Sequence, residues 1–453
     1  MIFSNVDLPA PLGPTRATNS PEANSAVIDR TTSDDVYPKD SSLNSITVGT
    51  KENYLKRISL SNRIRRMPEN HERWLFALTL ASAAAVLVSI AAAQTLLSLA
   101  CVLWIALRPG PLKWPSYFVP LCAFMAATIL ALLMSPEPAA GWAAINKFWL
   151  FAMGLLAANF VTSPARARLS HALLLSIAAA TSLLGLYQFA VAYRQYQVTH
   201  TLEHDPMVLA RITGFMGHWI TYSHEQLLVW CAAIPAIAVL GRRWMIPLGL
   251  VGAALVLGFT RGVWLGAAAG FLVAAMMIPR RVLLGVALPV ALIGLAASGL
   301  IYHRISMSFS QPNFTPDTGR VKLFIAGVRM IKAHPLFGIG PQRIHTEFPR
   351  YYHGQDLPEY YGHLENNVLQ LAAERGLLCL AAFLWFIFEL YASLISIVRK
   401  VPGEARWPAV SALAALTGFL VAGAFEYNFG DSEVLMLFLF IVSIPYGLHP
   451  AYA

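Results

Sequence analysis

Charge is what this chain has least of. Of its 453 residues only 13% are Asp, Glu, Lys or Arg and 57% are hydrophobic, whereas a soluble domain carries about twice that charged fraction. A water-soluble globular fold is therefore excluded, and the expectation is a polytopic membrane protein. Cysteine is scarce too. Cys101, Cys122, Cys231 and Cys379 are widely spaced within apolar segments, which excludes a disulfide framework or a thiolate metal site and reads as small buried apolar residues. No apolar h-region precedes a cleavage site near the start, so no cleaved signal peptide is expected. No glycine-rich phosphate loop follows a strand, and His200/His204 is a lone i,i+4 pair on a loop. Neither a nucleotide cofactor nor a metal is expected.

What is present divides the chain in two. Residues 1–66 are polar, of mixed charge and without periodicity, the composition of a disordered or non-native extension; Met67 is an alternative start. Residues 67–453 form a membrane domain. From Trp74 onward twelve apolar stretches approach the roughly 20 residues a bilayer requires: 74–92, 94–107, 115–134, 143–161, 169–192, 223–240, 244–259, 262–278, 282–302, 377–398, 408–425 and 433–449. The expected fold is all-α, with about twelve transmembrane helices and one large helical periplasmic loop, residues 303–376.

The net charge of +9 is a topology signal. Arg63–Arg66, Arg108 and Lys113, Arg166 and Arg168, Arg242 and Arg243, Arg280 and Arg281, and Arg399, Lys400 and Arg406 fall on one side when twelve spans are counted. By the positive-inside rule that side is the cytoplasm, with both termini there, which argues against nucleic acid as the partner. The opposite side holds two long intervals, about 194–223 and 303–376. In the second, Val321, Phe324, Ile325, Val328 and Ile331 form the apolar stripe of a helix that Pro335 ends, and a further helix is expected to start near Glu365. A loop this long with its own helices points to function.

The candidate chemistry gathers there. His363 is suited to act as a base near neutral pH, with Glu365 two residues on to orient it, and Asn366 and Asn367 follow. The other reading of His363 is a helix cap. Arg211, Arg261 and Arg320 lie on the far side, against the bias for positive charge. Converging, they would make a fork-shaped donor site for a diphosphate; separately, each would snorkel to lipid phosphate or pair with Glu203, Asp205, Glu426 or Asp431.

The run Arg320-Val-Lys-Leu-Phe, Met330-Ile and His334-Pro-Leu-Phe-Gly-Ile-Gly-Pro341, followed by His363-Leu-Glu-Asn-Asn-Val-Leu-Gln-Leu-Ala-Ala-Glu-Arg-Gly376, resembles the O-antigen ligase and polymerase superfamily. Thr260-Arg-Gly and Arg211-Ile-Thr-Gly-Phe-Met-Gly are also similar to family segments, and the likeness covers roughly Trp74 to Leu448. It implies a metal-independent, inverting glycosyltransferase of the bacterial inner membrane, with its site on the periplasmic face. The donor would be an undecaprenyl-diphosphate-linked O-antigen glycan and the acceptor a lipid A–core sugar. Polymerase and protein O-glycosyltransferase variants share the resemblance, and it does not fix the acceptor. The family's essential histidine maps onto His363 and its essential arginines onto Arg261 and Arg320, with Arg211 a further match. Many relatives read His-Leu-His-Asn where this chain has His363-Leu-Glu365-Asn366, so either His363 or Glu365 can be the base.

A twelve-span secondary transporter is the competing class. Transporters place ionisable groups near mid-membrane, whereas these span interiors are nearly free of them and the polar groups collect at one face.

Overall fold

The computed structural model describes residues 69–107, 112–310, 316–352 and 361–449, all within the compact unit Arg65–Ala453. The expectations for residues 1–66, Met67 and Arg108, and for 311–315 and 353–360 of the late loop, lie outside these residues. Among the described residues every regular element is a helix. In order they are α1 (Glu69–Val86), α2 (Ile90–Leu107), α3 (Phe118–Leu133), α4 (Pro138–Phe160, interrupted by 3-10 turns), α5 (Pro164–Thr199) and α6 (Trp219–Leu240). Next come α7 (Met245–Leu257), α8 (Arg261–Ala275), α9 (Arg280–Ala296), α10 (Ser298–Ser310), α11 (Pro316–Ala333) and α12 (Ile344–Tyr351). The chain closes with α13 (Asn367–Lys400), α14 (Trp407–Ala422) and α15 (Ser432–Leu448).

Each of the twelve expected stretches contains helix. Among the described residues six helices are long and apolar enough to cross a membrane, or seven if α9 and α10, bent by 60° at their junction, form one span. Others are apolar but short. At 1.5 Å per residue, α7 and α8 rise only about 20 Å against a hydrocarbon core of about 30 Å, because the turn carrying Phe259 and Thr260 interrupts what would be longer spans.

The core is built from α6, α14 and α15, which are buried nearly all round. α14 packs against α8, α6 and α15, while α3 packs on α13 and α4 on α15. Cys231 and Cys379 lie inside; Cys101 is only half-buried and Cys122 is exposed, since the outer surface of this bundle is itself apolar. The basic connections meet at one end. Arg281 lies 3.9 Å from Glu404, Arg406 donates to Met277 O, and His171 at the start of α5 meets Trp407 at the start of α14 edge-on.

The first long interval is shorter than expected, because α5 runs on to Thr199 and α6 begins at Trp219. The late loop has a small core of its own, made of Leu323, Ala326, Met330, Ile339, Ile344, Phe348, Leu364, Leu369 and Ala373. Its first helix buries only part of the expected stripe. Leu323, Ala326 and Met330 point in and Val328 and Ile331 pack against this core, while Val321, Phe324 and Ile325 are exposed. Apolar residues ring α11, so periodicity alone does not select a face. The close approach at Gly327, where an added Cβ would stand 2.9 Å from Leu364 and Leu369, selects the small-residue side.

Candidate active site

His363 sits on a bend immediately before α13. Leu364 is buried against Gly327 and its N–H donates to Gln370 Oε1 at 2.8 Å, so this residue anchors the bend inward. Glu365 adopts the left-handed backbone at φ 48°, and Asn366 caps the helix by accepting from Leu369 N at 2.8 Å. The helix therefore begins at Asn367, two residues later than expected, and Tyr361–Leu364 bends at Gly362 and His363 instead of running extended. Asparagine is among the strongest N-caps, which accounts for the later start. His363 and Glu365 flank the buried Leu364.

Each has a defined neighbour. Glu365 Oε2 accepts from Arg320 Nε, at the start of α11, at 2.6 Å. His363 Nδ1 lies 3.8 Å from Glu426 Oε1, on the turn between α14 and α15, and its ring is 6.3 Å from that of Tyr427. The two asparagines fix this turn to α13. Asn366 Nδ2 donates to Ala424 O and Asn367 Nδ2 to Asn428 Oδ1. Asn367 N donates to Gly423 O, and Asn367 Oδ1 accepts from Phe429 N. They thus act as scaffold for Glu426.

Beside this bend the structure brings the three expected arginines into one pocket. It encloses about 460 Å³, mouth included, and its lining contains Arg211, Arg261, Arg304, Arg320, His224 and Glu426. Gln188 on α5 holds the Arg211 loop by three bonds to Thr213 and Gly214, and the Arg211 guanidinium lies over Trp219 at 5.2 Å. Arg261 is the first residue of α8. The hydroxyl of the preceding Thr260 makes no cap bond; it is bonded to Gly258 O and Ser223. The start of α8, Thr260 to Val263, lines the pocket, and a helix N-terminus favours an anion. Gly262 lets the Glu426 turn close over this start, since a Cβ there would meet Phe425 Cβ at 2.8 Å.

Charge follows this geometry. Burial first, then Arg304, Arg261 and Arg320, lower the pKa of Arg211, with Asp205 opposing: the pocket is a field of like positive charge. Burial raises Glu426 to about 8, Glu365 adding to the rise and Arg320 opposing it. Burial lowers His363 from its ordinary value, with Glu365 pulling the other way. At neutral pH the site thus holds a neutral imidazole beside a protonated carboxyl, surrounded by guanidiniums. A neutral imidazole can accept a proton, and clustered guanidiniums can hold an anion with several oxygens. Among the described residues no group of three or more His, Cys, Asp or Glu is placed to hold a metal ion.

A break in α13 keeps the late loop seated. Gly376 has φ 83°, and a Cβ there would lie 2.1 Å from Leu336 O. The turn after α11 packs into this gap: Leu377 N donates to Pro335 O, Ile339 N to Ala373 O and Gly340 N to Glu374 O. Glu374 is fully buried and accepts from Gln342 N and from Gln370 Nε2. The two sequence motifs, His334–Pro341 and His363–Gly376, are the two sides of this one contact.

Residues 246–384 match the family model described as O-Antigen ligase. Over this segment the chain is similar to the O-antigen ligase family. The matched segment runs from α7 into α13 and contains Arg261, Arg304, Arg320, His363, Glu365, Asn366 and Asn367; Arg211 and Glu426 reach the pocket from outside it. A comparison with curated proteins gives no match. Its apolar helices, together with this match, point to a membrane protein.

Three titratable residues of the pocket lie outside the sequence-derived site. Arg304 stands next to His303 at the start of the late interval, a further arginine on the sparsely basic side. Glu426 was legible only as an acid in a far turn. His224 also enters the lining, and nothing in its helical context marks it.

Proposed function

We propose that this protein is a glycosyltransferase that moves a glycan from an undecaprenyl-diphosphate carrier to an acceptor sugar hydroxyl. The observation that carries the reading is the convergence of four arginines on a pocket bordered by the His363 bend. A diphosphate leaving group needs preorganised positive charge where its negative charge develops. The arginine pocket supplies this, and the start of α8 in its lining adds to it.

In the proposed mechanism His363 takes the proton from the acceptor hydroxyl as that oxygen attacks the anomeric carbon. The bond to the diphosphate breaks on the opposite side, inverting the anomeric centre, and Arg211, Arg261 and Arg320 bind the departing group. Glu426, across from Nδ1, positions the imidazole and faces the charge it acquires. Glu365 is held by Arg320, which favours His363 over Glu365 as the base.

The acceptor in this reading is a lipid A–core sugar, making the protein an O-antigen ligase at the periplasmic face of the inner membrane, with both termini cytoplasmic. Polymerisation of the lipid-linked glycan and protein O-glycosylation use the same donor chemistry. Lipopolysaccharide from a deletion strain separates the first two: loss of every glycan-capped band is the ligase outcome, and core bearing one repeat is the polymerase outcome.

A further inference from the structure

The late loop carries a set of stacked aromatic rings next to the His363 bend. His345, Phe348 and Tyr352 follow one another at spacings of three and four, which puts them on one face of α12 and its end. Tyr361, just before the bend, lies flat on His345, with ring centroids 4.9 Å apart and planes 8° from parallel. It also stacks on Phe348 at 5.0 Å, and Phe348 stacks on Tyr352 at 5.7 Å. Burial along these rings is graded. Phe348 is fully buried in the small core of the loop, Tyr352 and Tyr361 are half-buried, and His345 is exposed. Lys322 Nζ lies over the Tyr352 ring at 5.8 Å, so the solvent-facing end is that of His345 and Tyr361.

Core packing accounts for Phe348. It does not account for His345, whose ring is held flat on Tyr361 while remaining in water. An aromatic face is electron-rich and attracts polarised C–H groups. The ligand that matches a half-hydrated aromatic face is a pyranose, which presents a face of C–H bonds ringed by hydroxyls. The imidazole nitrogens and the Tyr361 hydroxyl give the rings polar edges for those hydroxyls.

Position decides which sugar this is. Tyr361 stands two residues before His363, at most about 7 Å along the chain. In an inverting displacement the acceptor oxygen attacks opposite the departing diphosphate, so the acceptor reaches His363 from the side away from the arginine pocket. Neither His345 nor Tyr361 belongs to the lining of that pocket; Tyr361 packs against the core of the late loop instead.

We infer that His345 and Tyr361 form a binding platform for a pyranose of the acceptor glycan. The inference rests on the proposed glycosyl-transfer reading and deepens it, since it makes the acceptor a sugar and not a protein side chain.

The test measures acceptor KM and donor KM separately, with purified full-length protein, a lipid-diphosphate-linked glycan as donor and lipid A–core or a second lipid-linked glycan as acceptor. His345→Ala and Tyr361→Ala should each raise the acceptor KM roughly 10- to 100-fold, the scale of a lost ring-stacking contact, and leave the donor KM in place. His345→Phe and Tyr361→Phe keep a ring and should stay near wild type. His345→Ala, at an exposed position, is the reporter if Tyr361→Ala does not fold. An unchanged acceptor KM in the alanine variants would overturn the inference and leave the glycosyl-transfer reading standing. A rise in donor KM instead would assign the rings to the donor glycan, and equal losses in the phenylalanine variants would show that stacking is not their role; either result overturns the inference. No transfer by the wild type to either acceptor would overturn the reading and the inference together.

Discussion

Arg320 and Glu365, 45 positions apart, are joined by a 2.6 Å ion pair across the mouth of the arginine pocket. The pair commits the Glu365 carboxylate to a cation and leaves the neighbouring imidazole as the group able to take a proton. Glu365→Gln should therefore lower glycosyl transfer by less than about tenfold, well short of the 10²–10⁴-fold typical of a lost general base. Initial rates with purified protein and a lipid-diphosphate-linked glycan check this. A dead Glu365→Gln beside an active His363→Ala would make the carboxylate the base.

The pH profile should have two limbs with separate causes. His363, lowered by burial, must be neutral to accept a proton, so the rate falls as the pH drops through a pKa below its ordinary value. Glu426 is held near 8; above that pH it ionises within the arginine pocket and competes with the donor's diphosphate. The donor KM should then rise with alkaline pH, and Glu426→Gln should flatten that rise. An alkaline limb unchanged in Glu426→Gln would mean that another group titrates there.

Gly376→Ala tests the contact that seats the late loop. The left-handed backbone and the 2.1 Å approach of Leu336 O leave no room for a methyl group. A loss of roughly 1–3 kcal/mol, or more with the clash, is expected, visible as a lower unfolding temperature in detergent. An unchanged transition would show that the turn after α11 is not held by this break.

Sidedness follows from the basic connections. A cysteine placed at 354, outside the described residues, should react with an impermeant reagent in spheroplasts, and one at 403 should not. Labelling at 403 would invert the proposed orientation.

Much of the candidate site was legible because its members sit in short, local motifs. Arg320, the His334–Pro341 turn and the His363–Gly376 run each identify themselves, and apolar stretches located the helices. Other features required three dimensions. Arg304 and Glu426 belong to segments whose local sequence has no pattern, and they join the site only because α10 bends and Asn367 ties down the turn after α14. Only Val328 and Ile331 of the expected α11 stripe pack inward, because that helix is apolar on several sides and packing against Leu364 makes the choice. The start of α13 was readable in hindsight, since Asn366 is a better cap than Glu365.

The proposed division of labour between the pocket and His363 is tested most directly by measuring donor binding and single-turnover transfer in the same His363→Ala preparation. The prediction is near-wild-type affinity for the undecaprenyl-diphosphate glycan, with transfer and release of undecaprenyl diphosphate reduced by 10²–10⁴-fold. Wild-type transfer by a well-folded His363→Ala protein would contradict it.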